Sequence, residues 1–222
     1  MRIEADQVTM VLNGRTIMER ESLVCMPGAM TALVGPSGAG KTTLLHLLGL
    51  LLRPTGGRVL ANGADTTAWG ARQRRLFWKN YAAFILQDYG IMEEESVAFN
   101  VTMTSSLFRS KVVGDEKRLK AVLMETGLGG REQELAARLS GGEKRRLAIA
   151  RALYKDAQVI LADEPTASLD DANGERVIEL LASLARQGRT VIVATHDDKM
   201  MRAADVQHSL AHFSDAPEGR GE

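Results

Sequence analysis

Eight consecutive residues, "GPSGAGKT" at Gly35–Thr42, have the types and spacing to grip a polyphosphate. They match G-x-x-x-x-G-K-[ST] at every fixed position, after a strand candidate and before a helix candidate. Gly38 and Gly40 let the backbone curl so that successive N–H groups turn inward around a β-phosphate. Lys41 reaches the β- and γ-phosphates as a point charge, and the Thr42 hydroxyl is an oxygen ligand for Mg²⁺. The cradle as a whole would be Gly35, Pro36, Ser37, Gly38, Ala39, Gly40, Lys41, Thr42 and Thr43.

Two apolar runs end in groups suited to work beside that cradle. "VILADE", Val159–Glu164, closes on two carboxylates. In an open α/β sheet the end of such a strand lies next to the phosphate loop. Asp163 then stands on the Mg²⁺ side, acting through a water, and Glu164 is placed to polarise the attacking water as general base. In isolation, the same acids could also cap a helix or turn. "TVIVATHD" repeats the arrangement and puts His196 at a strand end, in reach of a γ-phosphate or its attacking water. A structural hydrogen bond is the alternative for a lone histidine. Gln87 closes "YAAFILQ", where its amide could touch Mg²⁺ or water, or be only a polar strand end. His46, His208 and His212 have no comparable setting.

A second helix start, "ARLSGGEKRRLAIARAL", begins at Ala137. Ser140 is a good N-cap and Glu143 follows three residues later, which makes a capping box. A cap alone has no need of Gly141 and Gly142, which weaken a helix start. Two glycines there suit a backbone that another molecule approaches closely. Lys144, Arg145 and Arg146 are expected to form a solvated face.

The elements that must position these groups follow from hydrophobic periodicity. The first thirty residues read as strands joined by the turn Asn13–Gly14. "MTALVG" is a short apolar strand running into the phosphate loop, and "TTLLHLLGLLL" a helix stopped by Pro54 and Gly56–Gly57. "GRVLANG" reads as an edge hairpin, and Asp65 to Lys79 as a polar, basic stretch. From about Asp88 to Arg138 strand signals are weak and helical patterns dominate, giving a helical subdomain over roughly 88–140. "QVIL" and "TVIVAT" are buried strands. Between them lies a helix with Val177, Ile178, Leu180, Leu181 and Leu184 on one face, stopped at Gly188. Strand–helix alternation predicts an α/β fold with a mainly parallel sheet under helices. The end, "SDAPEGRGE", reads as frayed.

The chain has 222 residues, enough for one large domain with a subdomain, here taken as 2–215. Lys+Arg and Asp+Glu are both 28, so no general basic surface invites nucleic acid. The mixed aromatics and cations of "WGARQRRLFWK" do not change that expectation. Cys25 is the single cysteine and has no internal disulfide partner, which suits a reducing compartment. "MRIEADQV" has no apolar signal-peptide core. The apolar run Leu44–Leu52 is far shorter than the ~20 residues that span a bilayer. Work at a membrane would therefore need another chain.

The ordered set "GPSGAGKT", Gln87, "LSGGE", "VILADE", "SLD" at Ser168–Asp170 and His196 resembles the ATP-binding cassette family, from about Ile3 to about Val206. "LSGGE" resembles that family's signature motif and is more specific than the phosphate loop. The resemblance implies a P-loop NTPase with a RecA-like core, a small antiparallel β-subdomain and an inserted helical subdomain. It implies ATP and Mg²⁺ as ligands, with Thr42, Gln87 and Asp163 at the metal. It also implies a head-to-tail pair of cassettes. Ser140, Gly141, Gly142 and Glu143 of one copy would face the γ-phosphate held by Lys41 of the other, and Asp170 would link the two sites. Phe77–Val101 resembles the macrolide, lipoprotein and bacteriocin exporter branch. There, a permease would dock near Gln87, with Tyr89, Ile91 and Met92 as candidate groove residues and ordinary subdomain core as the alternative. Leu12 stands where the family often has an aromatic residue on adenine; leucine offers apolar cover without a π-face.

The expected activity is ATP hydrolysis, catalysed by Glu164, His196, Gln87 and Lys41, that powers a separate membrane permease of exporter type. The alternative is an ATP-driven module that works on a membrane protein without moving solute. Either would sit in the cytoplasm, on the inner face of the membrane through its partner. A nucleic-acid clamp is not expected.

Overall fold

The computed structural model describes residues 1–86, 90–103 and 115–211. Gln87, Tyr89, His212 and the expected frayed end lie outside the described residues.

Two sheets organise the chain. The first is antiparallel, in the order β2-β1-β4-β5, with β1 Ile3–Leu12, β2 Arg15–Cys25, β4 Gly56–Ala61 and β5 Ala64–Asp65. Asn13 and Gly14, both at positive φ, close the first hairpin as the sequence predicts. The second sheet is parallel, in the order β6-β7-β8-β3-β9. Its strands are β3 Met30–Val34, β6 Ala82–Ile85, β7 Val159–Asp163, β8 Thr190–Ala194 and β9 Val206–Ser209.

The pleat of β7 and β8 sorts their side chains between two cores. Val159, Leu161, Ile192 and Ala194 pack with Leu44, Leu45, Leu47 and Leu48 of helix α1, Lys41–Leu48. Ile160, Ala162, Val191 and Val193 pack with α5, Gly141–Lys155, and α6, Asp171–Arg186. Helices therefore cover both faces, and burying each leucine of α1 contributes about 1.5–3 kcal/mol. The phosphate-loop helix lies on one face, and the helix that starts at Ser140 on the other.

The helical region places α3, Val97–Thr102, α4, Glu116–Glu125, and a 3-10 turn at Ala136–Arg138 against α5. Val97, Val101, Leu119, Leu123 and Leu128 join the same core as Leu147 and Ile149, so this region is continuous with one face of the sheet.

Several elements depart from expectation. Helix α1 ends at Leu48, well before Pro54. A Cβ at Gly49 would stand 2.6 Å from the Phe84 ring, so the helix end presses directly on β6. The stretch expected only to be polar contains α2, Ala71–Asn80, which buries Phe77. It caps α1: Trp78 Nε1 donates to the Gly49 carbonyl at 2.9 Å and Arg74 Nε to the Leu50 carbonyl at 2.8 Å. The chain beyond Asp197 forms α7, Asp198–Ala203, and then the edge strand β9. Among the described residues, no helix is long and apolar enough to cross a membrane.

Candidate functional site: a phosphate cradle and a second helix start

Because β3, β7 and β8 are parallel, their C-terminal ends share one edge, and each delivers a functional segment there. Beyond β3, the loop turns through Gly35 at φ 145°, Gly38 at 79° and Gly40 at 90°. A Cβ at Gly35 would meet the Leu210 carbonyl oxygen at 2.5 Å, so that position has neither space nor a conformation for a side chain. Lys41 is buried, and its Nζ donates to the carbonyls of Gly35 at 2.8 Å and Pro36 at 3.0 Å. The ammonium thus holds the loop folded around the place a phosphate would take.

The end of β7 meets the start of α1. The Thr42 hydroxyl donates to Asp163 Oδ1 at 3.1 Å. Burial pushes the Asp163 carboxyl above its ordinary range, and the Thr42 hydrogen bond opposes the shift. A buried carboxylate beside a hydroxyl is a hard-oxygen pair suited to Mg²⁺, which takes one or two protein ligands and completes its shell with phosphate and water. Among the described residues, no group of three or more His, Cys, Asp or Glu could hold a metal ion on its own.

Glu164 follows at φ 45°, in the left-handed region that a non-glycine residue enters at about 1–3 kcal/mol. Its N–H donates to the Ala194 carbonyl at 2.9 Å, and its Oε1 lies 2.8 Å from His196 Nδ1. The Glu164 side chain is only 17% exposed and that of His196 is 73% exposed, so the imidazole roofs the carboxylate and is free on its outer side. Asp197 was not singled out in the sequence. Its N–H donates to Thr195 Oγ1 at 3.0 Å and its carboxylate accepts from the Lys199 N–H at 2.7 Å, fixing the turn that carries His196.

The second helix start forms the expected capping box. The Glu143 N–H donates to Ser140 Oγ at 3.3 Å, and the Ser140 N–H donates to Glu143 Oε2 at 2.8 Å. Arg131 binds Glu134 through Nε at 2.7 Å and Nη2 at 3.0 Å, and its Nη1 contacts Glu143. Burial raises the Glu143 carboxyl, but its bonds to Ser140 and Arg131 outweigh burial and leave it below its ordinary value.

Gly142 gains a second explanation here, and one expectation needs correction. Gly142 has a reason within its own chain: an added Cβ would stand 2.6 Å from Asn173 Cγ. Its small size therefore does not by itself indicate an approaching ligand. Nor do Lys144, Arg145 and Arg146 form a solvated face. Arg145 is 1% exposed and donates to the Leu86 carbonyl, Arg146 is 8% exposed and donates to Asn173 Oδ1 at 2.7 Å, and Lys144 pairs with Glu93. These long cations fasten α5 to the segments around it.

A family model described as "ABC transporter" matches residues 18–167. The chain belongs to the ABC transporter family. The macrolide export ATP-binding/permease protein MacB of Bartonella quintana is 36% identical over 200 residues, 90% of this chain and 30% of its own length. An uncharacterized ABC transporter ATP-binding protein of Thermotoga maritima is 38% identical over 78% of this chain and 74% of its own. The chain thus spans about 30% of the length of the MacB relatives it matches. Among solved structures, the ATP-binding cassette MJ0796, in a dimeric post-hydrolysis state with ADP and Pi, aligns with a TM-score of 0.80 at 29% identity over 94% of both chains. The fold is that family's RecA-like P-loop core, and the cassette is an ATPase that takes ATP with Mg²⁺.

Within the cassette, the structure brings Lys41, Thr42, Asp163, Glu164 and His196 to one edge of the parallel sheet. Ser140, Gly142 and Asp170 gather instead around the starts of α5 and α6, and Asp170 caps α6 through the Asn173 N–H at 2.9 Å. Asn173 carried no signal beyond lying three residues after an N-cap aspartate. Ile91 is half-buried against the core, and Met92, 45% exposed, has its backbone held by Asn100 at 2.8 and 2.9 Å. Leu12 is 38% exposed at the end of β1.

Proposed function

We propose that this cassette works as a head-to-tail pair that closes on two ATP molecules and powers a separate membrane permease of the exporter type. The observation that supports the pairing is that α1 and α5 pack on opposite faces of the parallel sheet. Each cassette then offers a phosphate cradle at one place and a capped helix N-terminus at another, and a two-fold pair satisfies both ends at once. The Ser140 hydroxyl and the Gly142 amide face the γ-phosphate held by Lys41 of the other copy, and Asp170 lies along the contact.

In the proposed reaction, a water attacks the γ-phosphorus as its proton passes to Glu164. The bond from phosphorus to the β,γ-bridging oxygen breaks, and ADP leaves with the electron pair. Lys41 neutralises the leaving oxygens, and His196 holds Glu164 in place and touches the γ-phosphate with its exposed side. Thr42 and Asp163 would hold Mg²⁺, which supplies further neutralisation of charge on the phosphates. Gln87 completes the set as the amide that senses metal or water. A drug-type cargo, a permease and a place on the inner face of the membrane are supported by likeness to relatives named macrolide export ATP-binding/permease proteins, and a peptide, bacteriocin or lipoprotein cargo by the resemblance of Phe77–Val101 to that exporter branch.

Glu164→Gln tests the pairing and the base together. This variant should bind ATP, accumulate as a dimer and hydrolyse about 10²–10⁴-fold more slowly. Full turnover would remove Glu164 as the base, and failure to dimerise with bound ATP would remove the composite site. ATP-dependent movement of a drug or peptide in vesicles with a co-purified permease tests the cargo. A permease whose ATPase responds to ligand but moves nothing favours a mechanical module.

A further inference from the structure

The signature helix α5 and the Asp170 turn are separate elements that the paired arrangement uses together, and one side chain joins them. Asn173 Oδ1 accepts from Arg146 Nη1 of α5 at 2.7 Å. Its Nδ2 donates to Asp170 Oδ2 at 2.7 Å, and its N–H donates to Asp170 Oδ1 at 2.9 Å. Both carboxylate oxygens are thereby engaged, and these bonds hold the Asp170 carboxyl below its ordinary value. The same amide group packs so closely on Gly142 that a Cβ there would be 2.6–2.9 Å from Asn173 Cγ, Oδ1 and Cβ. Asn173 therefore touches the signature backbone, the buried arginine one turn along α5, and the exposed aspartate.

An asparagine is suited to this place because it must accept on one side and donate on the other. Leucine would match its volume and make neither bond. Aspartate would keep the acceptor for Arg146 and set a second negative charge against Asp170.

We propose, resting on the head-to-tail reading above, that Asn173 is a positioning residue. It locks the signature helix and the Asp170 turn into one rigid surface that meets the second copy. Ser140, Gly142 and Asp170 then reach the partner in fixed register. Without the lock, ATP still binds to each chain but the pair closes poorly.

The test is run in the Glu164→Gln protein, with ATP-driven dimerisation followed by sedimentation and single-chain ATP affinity measured at dilution. If Glu164→Gln with ATP bound stays monomeric, the head-to-tail reading itself fails. If it dimerises, Asn173→Ala and Asn173→Leu should weaken the dimer at least tenfold and leave single-chain ATP affinity within twofold. Asn173→Asp separates positioning from folding. It retains the Arg146 contact and should melt within a few degrees of its parent, yet dimerise at least tenfold more weakly through repulsion of Asp170. Dimerisation of Asn173→Asp at the parental level would overturn the proposal. So would a dimer loss in Asn173→Ala that is accompanied by an equal loss of single-chain ATP affinity.

Discussion

Replacing Arg131 with glutamine removes a cation from between two carboxylates at the helix end proposed to receive a phosphate. In the folded cassette its guanidinium is bidentate on Glu134 and also contacts Glu143. The three side chains are 23–29% exposed, so the charges are only partly screened by water. Glu143 is needed for the capping box, but its charge opposes an anion arriving at the same turn. In Arg131→Gln that charge is uncompensated. It would lie roughly 8 Å from the phosphate, judged from about one helical turn and one hydrogen bond. At an effective dielectric of about 20, a unit charge at that distance opposes the phosphate by about 2 kcal/mol, or roughly thirtyfold per site. The assay is ATP-driven dimerisation in the Glu164→Gln background. With two such sites in the pair, Arg131→Gln should weaken the dimer roughly 10³-fold, less at high salt. Adding Glu143→Gln keeps the capping box without the charge and should restore the dimer. A double variant as weak as Arg131→Gln would refute the reasoning, as would an equal defect in single-chain ATP affinity.

Asp163→Asn should raise the melting temperature of the nucleotide-free cassette by roughly 2–4 °C at pH 8 and abolish Mg²⁺-dependent hydrolysis. Burial raises the folded carboxyl above its ordinary value of 3.8, so the folded chain holds a proton that the unfolded chain has released. Stability therefore falls as pH rises through that window, and the gain from Asp163→Asn should shrink toward pH 4; an equal gain at both pH values would contradict this. Gly142→Ala should destabilise the isolated cassette by about 1–3 kcal/mol through its clash with Asn173, and Asn173→Ala should relieve most of that in the double variant. Chemical denaturation checks both, and additive losses would mean that the two residues do not press on each other.

The phosphate loop, strands β3, β6, β7 and β8 of the parallel sheet and the apolar face of α6 were legible because each depends on local pattern. Val177, Ile178, Leu181 and Leu184 are buried at helical spacing, and β7 and β8 are buried throughout, apolar but for Asp163 and Thr190, because both of their faces are covered. Helix α2 was not legible, since it buries only Phe77, leaves Leu76 exposed and is otherwise rich in arginine and other polar residues. Strand β9 was missed because it is a short edge strand with "VQHS" largely exposed. It is held by pairing with β3 and by a His208–Glu21 contact at 3.2 Å. The burial of Arg145 and Arg146 was invisible for a different reason. Their partners are the Leu86 carbonyl and Asn173, remote in sequence, and charge alone reads as exposure until the acceptors are known.

Those cations also say how a load on one part of the cassette reaches another. From α5, Arg145 holds the Leu86 carbonyl, Arg151 holds the Gly90 carbonyl at 2.7 Å, and Lys144 pairs with Glu93. These contacts flank Gln87 and include the stretch with Ile91 and Met92. From the same helix, Arg146 holds Asn173 and thereby Asp170, and Ser140 forms the helix start. Apart from the Lys144–Glu93 pair, the connections are charge-assisted hydrogen bonds to backbone carbonyls or to a side chain itself held by Asp170, stiffer than apolar contacts that can slide. Helix α5, 15 residues long, is thus the member common to the proposed permease groove and the proposed partner surface. A push on 90–93 cannot displace that segment without either moving α5 or breaking its bonds. Moving α5 carries the signature and, through Asn173, Asp170 with it. The arginines expected to face solvent are the fastenings that make this transmission possible.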